Sequence, residues 1–225
     1  EIANGNNAAA NAARTFIFLP NGTYDLGDKC LTPISGNNIS IIGESMDNTI
    51  IVNKPEVEGI GVTATLFNTS TGLYMQDLTL KNAYPFDKST GRAVCLQDKG
   101  TQPICKNVKM LSYQDTYYSN NNKGQYYFEN SDIHGIVDFI CGGGDVFFNK
   151  CTLTLEPGKG SYITAPYTDG SDYGYVFDGC KIVGSATDSF TFGRSWGGTA
   201  KCAFLNTILD KNAAANIAST RWTTG

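Results

Sequence analysis

A short residue pattern recurs along this chain and constrains its fold more than any other feature. Each copy starts with a marker residue, continues with a small or branched residue, and places an apolar residue two positions later. This is the period of a strand with one buried face. The markers are Asn38, Asp77, Asn107, Asn130, Lys150, Gly179 and Asn206, at intervals of 39, 30, 23, 20, 29 and 27 residues. A phenylalanine precedes four markers by two positions, at Phe128, Phe148, Phe177 and Phe204.

The length of the repeat predicts an all-β fold, a right-handed single-stranded parallel β-helix. Each coil of such a solenoid buries its inward side chains on those of the next, and unequal spacing reflects loops of different length. The chain has 20 asparagines and 25 glycines, and both residue types tolerate the left-handed backbone that sharp bends require. A β-sandwich or barrel is the alternative, but sandwiches seldom repeat the same inward residues in register.

Two aspartates occupy matching positions in successive copies. Asp115 lies eight residues after Asn107, and Asp138 lies eight residues after Asn130. Because neighbouring strands are about 4.8 Å apart, we expect the two carboxylates to lie within about 5 to 6 Å of each other. Such a pair does not readily carry two charges, so one pKa rises and the acids can take different roles. The alternative is two surface acids, but the apolar residues of 136–140 around Asp138 argue against it.

Length, composition and charge favour a single domain. The chain has 225 residues, of which 41% are hydrophobic, and a formal net charge of -4. It is long enough to bury a continuous core, and its scattered charges give no sign of a nucleic-acid partner. It has no apolar run of about 18 residues, so no membrane span is predicted. We expect one β-helix domain over residues 1–225, shortened at both ends, since neither a signal-like start nor an end cap is evident.

The cysteines do not form a metal-binding or redox motif. The chain has 7 cysteines, and none are spaced as Cys-x-x-Cys, so neither a zinc site nor a redox pair is predicted. Cys151 and Cys180 occupy the same inward position in successive copies. They form either stacked buried thiols or one disulfide, and stacked thiols are the favoured interpretation.

Three other motifs resemble functional signatures but lack the context that those signatures need. Residues 193–197 spell the Gly-x-Ser-x-Gly nucleophile elbow, which requires a histidine later in the chain. The only histidine, His134, comes earlier, so Ser195 lacks a base and His134 is expected to be packed or half-exposed. The glycines of 59–64 lack the context of a dinucleotide site, and those of 142–144 lack the rest of a phosphate loop. We therefore predict no cofactor and no metal.

Three segments form an ordered set of longer motifs. They are Tyr-Gln-Asp-Thr-Tyr-Tyr at 113–118, Gly-Ile-Val-Asp-Phe-Ile-Cys-Gly at 135–142 and Gly-Arg-Ser-Trp at 193–196. In order and separation they resemble the Tyr-Gln-Asp-Thr/Ser-Leu-Tyr, Gly-Thr-Val-Asp-Phe-Ile-Phe-Gly and Gly-Arg-Pro-Trp motifs of the pectin methylesterase, or pectinesterase, family. The resemblance begins near Thr15, where 16–24 is similar to the family's Ile-Phe-Ile-x-x-Gly-Thr-Tyr, and continues to the last residues.

The resemblance implies a parallel β-helix carbohydrate esterase and gives roles to the two aspartates and their neighbours. Asp138 would attack the methyl ester carbonyl of a galacturonate unit. Asp115 would protonate the departing methoxide and then activate water. Arg194 would pair with Asp138 and keep it charged, and Gln114 would donate to the developing oxyanion. The residues expected to bind substrate are Trp196, Arg92, Phe139, Tyr113 and Tyr118.

The chain departs from the family's pattern at three positions. Arg92 stands where the family has a second oxyanion glutamine; it can still donate hydrogen bonds but adds a charge that can change the pH dependence. Cys141 replaces a phenylalanine and thins the aromatic wall of the groove. Ser195 replaces a proline and slightly loosens the loop that holds Arg194.

The sequence therefore predicts a secreted, extracellular or periplasmic pectin methylesterase that acts as a monomer on methylated homogalacturonan. No nucleic-acid or membrane partner is expected. A galacturonan hydrolase or lyase with the same fold is an alternative, because two close carboxylates also suit a retaining glycosidase. Against it, the chain has no Asp-Asp pair and no Asn-Thr-Asp, which polygalacturonases use, and no dense carboxylate group for the calcium of a lyase. A catalytically silent pectin-binding solenoid is a third interpretation, prompted by Arg92.

Overall fold

The chain is wound into a parallel β-helix of about seven turns. The structure, a computed structural model, describes residues 1–85, 91–158, 162–184 and 189–224. Its helices are α1 (Ile2–Asn6) and α2 (Lys211–Asn216). Its strands, in chain order, are β1 (Thr15–Leu19), β2 (Gly22–Asp25), β3 (Thr32–Ile34), β4 (Ile39–Gly43), β5 (Thr49–Asn53), β6 (Leu66–Asn68), β7 (Tyr74–Asn82), β8 (Leu96–Asp98), β9 (Ile104–Leu111), β10 (Tyr117–Ser119), β11 (Gln125–Glu129), β12 (Asp132–Gly135), β13 (Val137–Gly142), β14 (Asp145–Asn149), β15 (Thr152–Leu155), β16 (Tyr162–Pro166), β17 (Tyr175–Asp178), β18 (Lys181–Gly184), β19 (Thr191–Arg194), β20 (Cys202–Leu205), β21 (Ile208–Leu209) and β22 (Trp222–Thr223).

Each turn contributes strands to three faces, and the strands of each face pair in parallel. Face A contains β1, β4, the first halves of β7 and β9, β11, β14, β17 and β20. Face B contains β2, β5, the second halves of β7 and β9, β12, β15, β18 and β21. Face C contains β3, β6, β8, β10, β13, β16, β19 and β22. This arrangement confirms the predicted parallel β-helix and excludes the sandwich or barrel, whose strands pair mainly antiparallel.

Six of the seven markers lie at the bend between face A and face B. All six have a left-handed backbone, with φ between 49° and 63°: Asp77, Asn107, Asn130, Lys150, Gly179 and Asn206. Asparagine, aspartate and glycine adopt this conformation at the lowest energetic cost, which explains why five of the six are of these types. The side-chain amide of Asn107 also donates to the carboxylate of Asp77 at 2.9 Å, so the bends are linked from turn to turn.

The assignment of the Asn38 segment to the same bend is wrong. Asn38 also has a left-handed backbone, with φ 54°, but it precedes face A, where Ile41 pairs with Met75. The residue in register with Thr79 of the next copy is Ile50, in β5. Several turns thus contain more than one left-handed residue followed by a strand, and the pattern alone does not distinguish these bends.

The in-register turns build the core from columns of like side chains. On face A, the rings of Phe128, Phe148, Phe177 and Phe204 are stacked, with centroids 4.9, 4.4 and 4.3 Å apart. Such pairs contribute about 0.5–1.5 kcal/mol each beyond the burial of their area. On face B, a second column consists of fully buried aliphatic side chains, Leu80, Met110, Ile133, Leu153 and Ile182.

Most of the cysteines are buried in or packed against this core, and Cys30 is only partly buried. All seven are free thiols, and Cys151 and Cys180 lie in adjacent turns with their thiols in contact. The interpretation as stacked thiols is therefore confirmed over a disulfide. Among the described residues, no helix is both long and apolar enough to cross a membrane.

Replacing Ile182 by alanine leaves a cavity in the face B column, so we expect it to lower the free energy of unfolding by about 2–5 kcal/mol. Lys181→Ala is the matched control, because Lys181 is the exposed neighbour on the same strand and its loss should cost less than about 0.5 kcal/mol. Urea unfolding of both variants measures the difference, and equal losses would contradict a packed column at this position.

Candidate active site

The two aspartates lie where the chain passes from face B to face C in successive turns. Asp115 precedes β10, and Asp138 lies near the start of β13; the pairing of Tyr117 with Ile140 places them at matching positions. Both have a left-handed backbone, with φ 57° and 48°. A non-glycine residue in this conformation costs about 1–2 kcal/mol. The bends between face A and face B have the same conformation, so it directs the two carboxylates but does not by itself mark a functional site.

A cleft of about 290 Å³ opens over the two carboxylates. It is built from the loops before face C and from β13, β16 and the end of β19. Its lining residues are Glu58, Ile60, Arg92, Gln114, Asp115, Asp138, Cys141, Ala165, Arg194 and Trp196. Six of the nine predicted site residues therefore line the cleft, and the other three, Tyr113, Tyr118 and Phe139, lie elsewhere.

Burial and neighbouring charges shift the pKa of each of the two acids. Each aspartate is only 5% exposed. Burial and the negative charge of Asp138 raise the pKa of Asp115 to about 7, although the cations Arg92 and Arg194 oppose the rise. Burial raises the pKa of Asp138 as well, but the hydrogen bonds and charge of Arg194 oppose it. The charge of Asp138 thus raises the pKa of Asp115, as expected for a close pair, although burial raises the pKa of both acids. Arg194 is what makes their electrostatic environments different.

Arg194 forms a bidentate ion pair with Asp138. Its Nε lies 3.1 Å from Oδ1 and its terminal nitrogen 2.7 Å from Oδ2 of the carboxylate. Arg194 is two turns away on β19, and its guanidinium lies over the ring of Tyr162, 5.6 Å from the centroid. A side chain at Gly193 would clash with Thr164 Oγ1 at 2.2 Å, so this glycine lets β19 approach β16 closely enough for the arginine to reach. The structure thus contains the pair that the sequence predicted.

Gln114 presents its amide to the same cleft. The parallel bridges Arg92–Gln114 and Gln114–Val137 place it between the neighbouring turns. The backbone N–H of Ala93 donates to the backbone carbonyl of Gln114 at 3.0 Å. Among the described residues, none forms a hydrogen bond with the side-chain amide of Gln114. The amide N–H groups of Gln114 can therefore donate to a bound group beside the aspartates.

Arg92 lies at the rim of the cleft and is bound by a residue that the sequence did not single out. Its Nε and a terminal nitrogen donate to the two carboxylate oxygens of Glu58 at 2.7 and 2.6 Å. Glu58 lies in the loop between β5 and β6, where the chain has no repeat to align. A chemical signal could have identified it: Arg92 is a cation where the family has a neutral amide, and Glu58 is an acid of the preceding turn that can pair with it.

Trp196 and Tyr118 form an aromatic wall next to the acids. The indole of Trp196 is 40% exposed, so it is not core packing. It lines both the cleft and an adjoining cavity of about 460 Å³. The rings of Tyr118 and Tyr167 lie edge-on to it, with centroids 5.9 and 6.5 Å away. Tyr118 thus borders the adjoining cavity rather than the cleft over the aspartates.

The structure contradicts the substrate-binding assignment of Phe139 and places Tyr113 outside the cleft. Phe139 is fully buried in the hydrophobic core, because the left-handed residue before it turns the strand and directs its ring inward, against Gly135. Tyr113 borders a separate cavity of about 660 Å³, with Tyr84. Alternation along a strand does not predict these directions, since the bend at Asp138 interrupts the alternation.

A raised carboxyl pKa does not by itself mark the site. Burial raises the pKa of Asp98 to about 7, against hydrogen bonds from Asn68 and Gly100, yet this carboxyl is enclosed in the core. Ser195 donates only to the carbonyl of Gly197, at 3.5 Å. The described residues contain no group of three or more His, Cys, Asp and Glu side chains that could hold a metal ion.

His134 forms hydrogen bonds with two acids and does not line the cleft. Its ring nitrogens contact Glu156 at 2.6 Å and Asp132 at 3.0 Å, on the outer surface of face B. Burial opposes protonation, but the hydrogen bonds and charges of the two carboxylates raise the pKa of His134 to about 9. This agrees with the prediction of a packed side chain.

The His134 cluster should stabilise the fold in a pH-dependent way. Since the folded pKa lies above the unfolded value of about 6.5, its contribution is fully present below that value and is lost as the pH rises through about 9. We expect His134→Gln to lower the free energy of unfolding by about 1.5–3 kcal/mol at pH 6, and by much less at pH 10. Urea unfolding of both proteins across this range tests it, and a constant difference would refute it.

Comparisons with known proteins give one consistent family. The family model Pectinesterase matches residues 3–224. The chain is similar to "Putative pectinesterase 11" of Arabidopsis thaliana, with 31% identity over 196 residues that cover 86% of this chain and 53% of that protein. It spans about half the length of the curated relatives it matches.

The solved structures that this chain resembles include pectin methylesterases. The enzyme from Erwinia chrysanthemi has a TM-score of 0.77 at 26% identity, covering 94% of this chain and 73% of its own. A pectin methylesterase in complex with a hexasaccharide has a TM-score of 0.79 at 25% identity, covering 96% of this chain and 75% of its own.

Proposed function

Because this chain belongs to the pectinesterase family, we propose that it hydrolyses the methyl esters of galacturonate units in pectin and releases methanol. The observation that carries the proposal is the pair of buried aspartates in one cleft, of which Asp138 has both oxygens bound by Arg194. An ionised carboxylate next to a protonated one supplies a nucleophile and an acid at the same place. No metal or cofactor is needed for this chemistry.

In the first half of the reaction, Asp138 attacks the ester carbonyl. The Arg194 guanidinium favours its ionised form and fixes the orientation of its oxygens. As the tetrahedral intermediate forms, the amide of Gln114 donates to the developing oxyanion. Asp115, whose pKa of about 7 keeps it largely protonated in weakly acidic solution, gives its proton to the departing methoxide. The products of this half are methanol and an anhydride between Asp138 and the galacturonyl group.

In the second half, the ionised Asp115 acts as a base. It takes a proton from a water molecule, whose oxygen attacks the galacturonyl carbon of the anhydride. The bond to Asp138 breaks, its carboxylate is restored beside Arg194, and Asp115 is protonated again. One ester and one water thus give one acid and one methanol, and both aspartates return to their starting states.

The groove beside the acids fits a polysaccharide. The exposed face of Trp196 joins the cleft to the adjoining cavity bordered by Tyr118 and Tyr167, and aromatic faces next to polar groups suit sugar rings. The hexasaccharide bound to a pectin methylesterase of the same fold supports a polymeric substrate. Since pectin is a wall polysaccharide, we propose that the protein acts outside the cell membrane. We further propose that residues 1–225 form one β-helix domain that acts as a monomer.

Asp138→Asn should lower methanol release from methylated pectin at least about 1,000-fold, because the amide retains the shape but is no nucleophile. Ser195→Ala is the matched control beside Arg194 and should keep most of the activity. Methanol is assayed directly and the viscosity of the pectin solution is followed in parallel. Loss of activity in the serine variant with retention in the Asp138 variant would refute the two-aspartate mechanism.

The viscosity record separates the esterase from a chain-cleaving enzyme. Demethylation leaves the polymer length unchanged, so the proposal expects methanol without thinning of the solution. Thinning without methanol would favour the hydrolase or lyase. Binding to pectin with neither methanol nor thinning would favour a silent binding solenoid.

Gln114→Met tests the oxyanion donor. The substitution keeps the length of the side chain but removes its N–H groups, and loss of one such donor typically lowers kcat about 100–1,000-fold. Because the donor acts mainly in the transition state, KM should change little. A raised KM at unchanged kcat would instead assign Gln114 to substrate binding alone.

A further inference from the structure

The acids and cations of the cleft form a row across successive turns. Glu58 belongs to the loop between β5 and β6, and Arg92 to the connection between β7 and β8. Asp115 precedes β10 in the next turn, and Asp138 follows in β13. Each thus lies where its turn enters face C. Along the row, an acidic residue is followed by a cation and then by two acidic residues. Arg194 reaches the row from β19.

The charge of Arg92 opposes the proposed role of Asp115, as does that of Arg194, which is bound to Asp138. A cation beside a carboxyl favours its ionised form, and Arg92 acts on Asp115 in this direction. A general acid must instead hold its proton until the leaving group departs. The chain has an arginine here, so the cation needs a partner that limits its effect on Asp115.

Glu58 meets that requirement geometrically. Its two oxygens accept from Nε and a terminal nitrogen of Arg92 at 2.7 and 2.6 Å, the fork-to-fork arrangement that fixes a guanidinium plane. The pair lies at the rim, with the side chains of Arg92 and Glu58 47% and 24% exposed. It is therefore accessible to solvent on one side and faces the cleft on the other.

The loop of Glu58 is anchored to the backbone of Arg92. The N–H of Gly59 donates to the carbonyl of Arg92 at 3.0 Å. The buried hydroxyl of Thr63 donates to the carbonyl of Gly59 at 2.7 Å and accepts from the N–H of Val94 at 3.2 Å. The Glu58 carboxylate is thus held in place by the fold, and its contact with Arg92 does not depend on a flexible surface side chain alone.

We propose that Glu58 is a positioning residue, which holds the Arg92 guanidinium at the rim of the cleft and compensates its charge so that Asp115 retains the proton for the leaving methoxide. This role rests on the proposed esterase function. The other groups that face Asp115 are Asp138 and the Cys141 thiol on β13, Arg194 on β19, and Tyr118 on β10. None of them is altered by the substitutions that follow.

The first test needs no substrate. Carbon-13 NMR of aspartate-labelled protein gives the pKa of Asp115, with its signal assigned by Asp115→Asn. Glu58→Gln leaves Arg92 uncompensated and should lower the pKa of Asp115 by about 1. Arg92→Gln leaves the Glu58 charge uncompensated and should raise it. The double variant, in which both charges are gone, should return close to the value of the unaltered protein.

Glu56→Gln is the matched control, because Glu56 is an exposed acid of the same loop. It removes the same charge from the protein but leaves the contacts of Arg92 intact, so the pKa of Asp115 should not change. If Glu58→Gln leaves the pKa of Asp115 unchanged, or shifts it no more than Glu56→Gln does, the positioning role is wrong. Arg92→Gln keeps the test decisive if the Glu58 variant folds poorly.

The second test follows activity. The kcat/KM for methanol release should fall above the pKa of Asp115, so Glu58→Gln should move this alkaline limb to lower pH and Arg92→Gln to higher pH. A residue that merely supports the loop would lower activity at all pH values without moving the limb. Shifted NMR pKa values without methanol release from any variant would refute the esterase function and leave the pairing intact. Normal methanol release with fixed limbs would refute the positioning role alone.

Discussion

Two hydrogen bonds from the guanidinium of Arg194 reach both carboxylate oxygens of Asp138, at 3.1 and 2.7 Å. Burial alone would raise the pKa of both aspartates alike, because each is 5% exposed and low polarity disfavours both charges. The bidentate pair stabilises the charge on one of them, and that charge then disfavours ionisation of the other. The proposed division into a nucleophile and an acid depends on this one asymmetry.

The asymmetry in turn depends on the register of the turns. Arg194 belongs to β19 and Asp138 to β13, so the side chain crosses the strand between them and lies over Tyr162. A slip of one residue in a parallel face would exchange inward and outward side chains along the strand. The stacked phenylalanines of face A and the aliphatic column of face B oppose such a slip, since every shifted turn would lose buried contacts. The core is thus what keeps the cleft assembled.

The sequence was sufficient for the fold and for the centre of the site. Repeated markers identified the turns, because a left-handed bend accepts few residue types, and equal offsets from Asn107 and Asn130 placed Asp115 beside Asp138. It was insufficient where the backbone direction changes or no repeat exists. The Asn38 copy was misaligned because several bends of one turn share the same chemistry, and the inward direction of Phe139 follows from a local irregularity in β13.

Contacts between loops were not predictable at all from the repeat. Glu58 meets Arg92 only because the loop between β5 and β6 is folded against the next turn by Gly59 and Thr63. The alternation of apolar residues does not predict this contact between Glu58 and Arg92. The signal in the sequence was the charge of Arg92, because a cation in place of a neutral amide favours an acid beside it.

The central claim is that Asp138 is charged and Asp115 is protonated in the resting cleft. Neutron diffraction from a deuterium-exchanged crystal at a pD near 6 tests this most directly, since it locates individual deuterons. The account predicts nuclear density for a deuteron on the carboxyl of Asp115 and none on the carboxyl of Asp138, with Arg194 fully deuterated. A deuteron on Asp138, or two bare carboxylates, would contradict it.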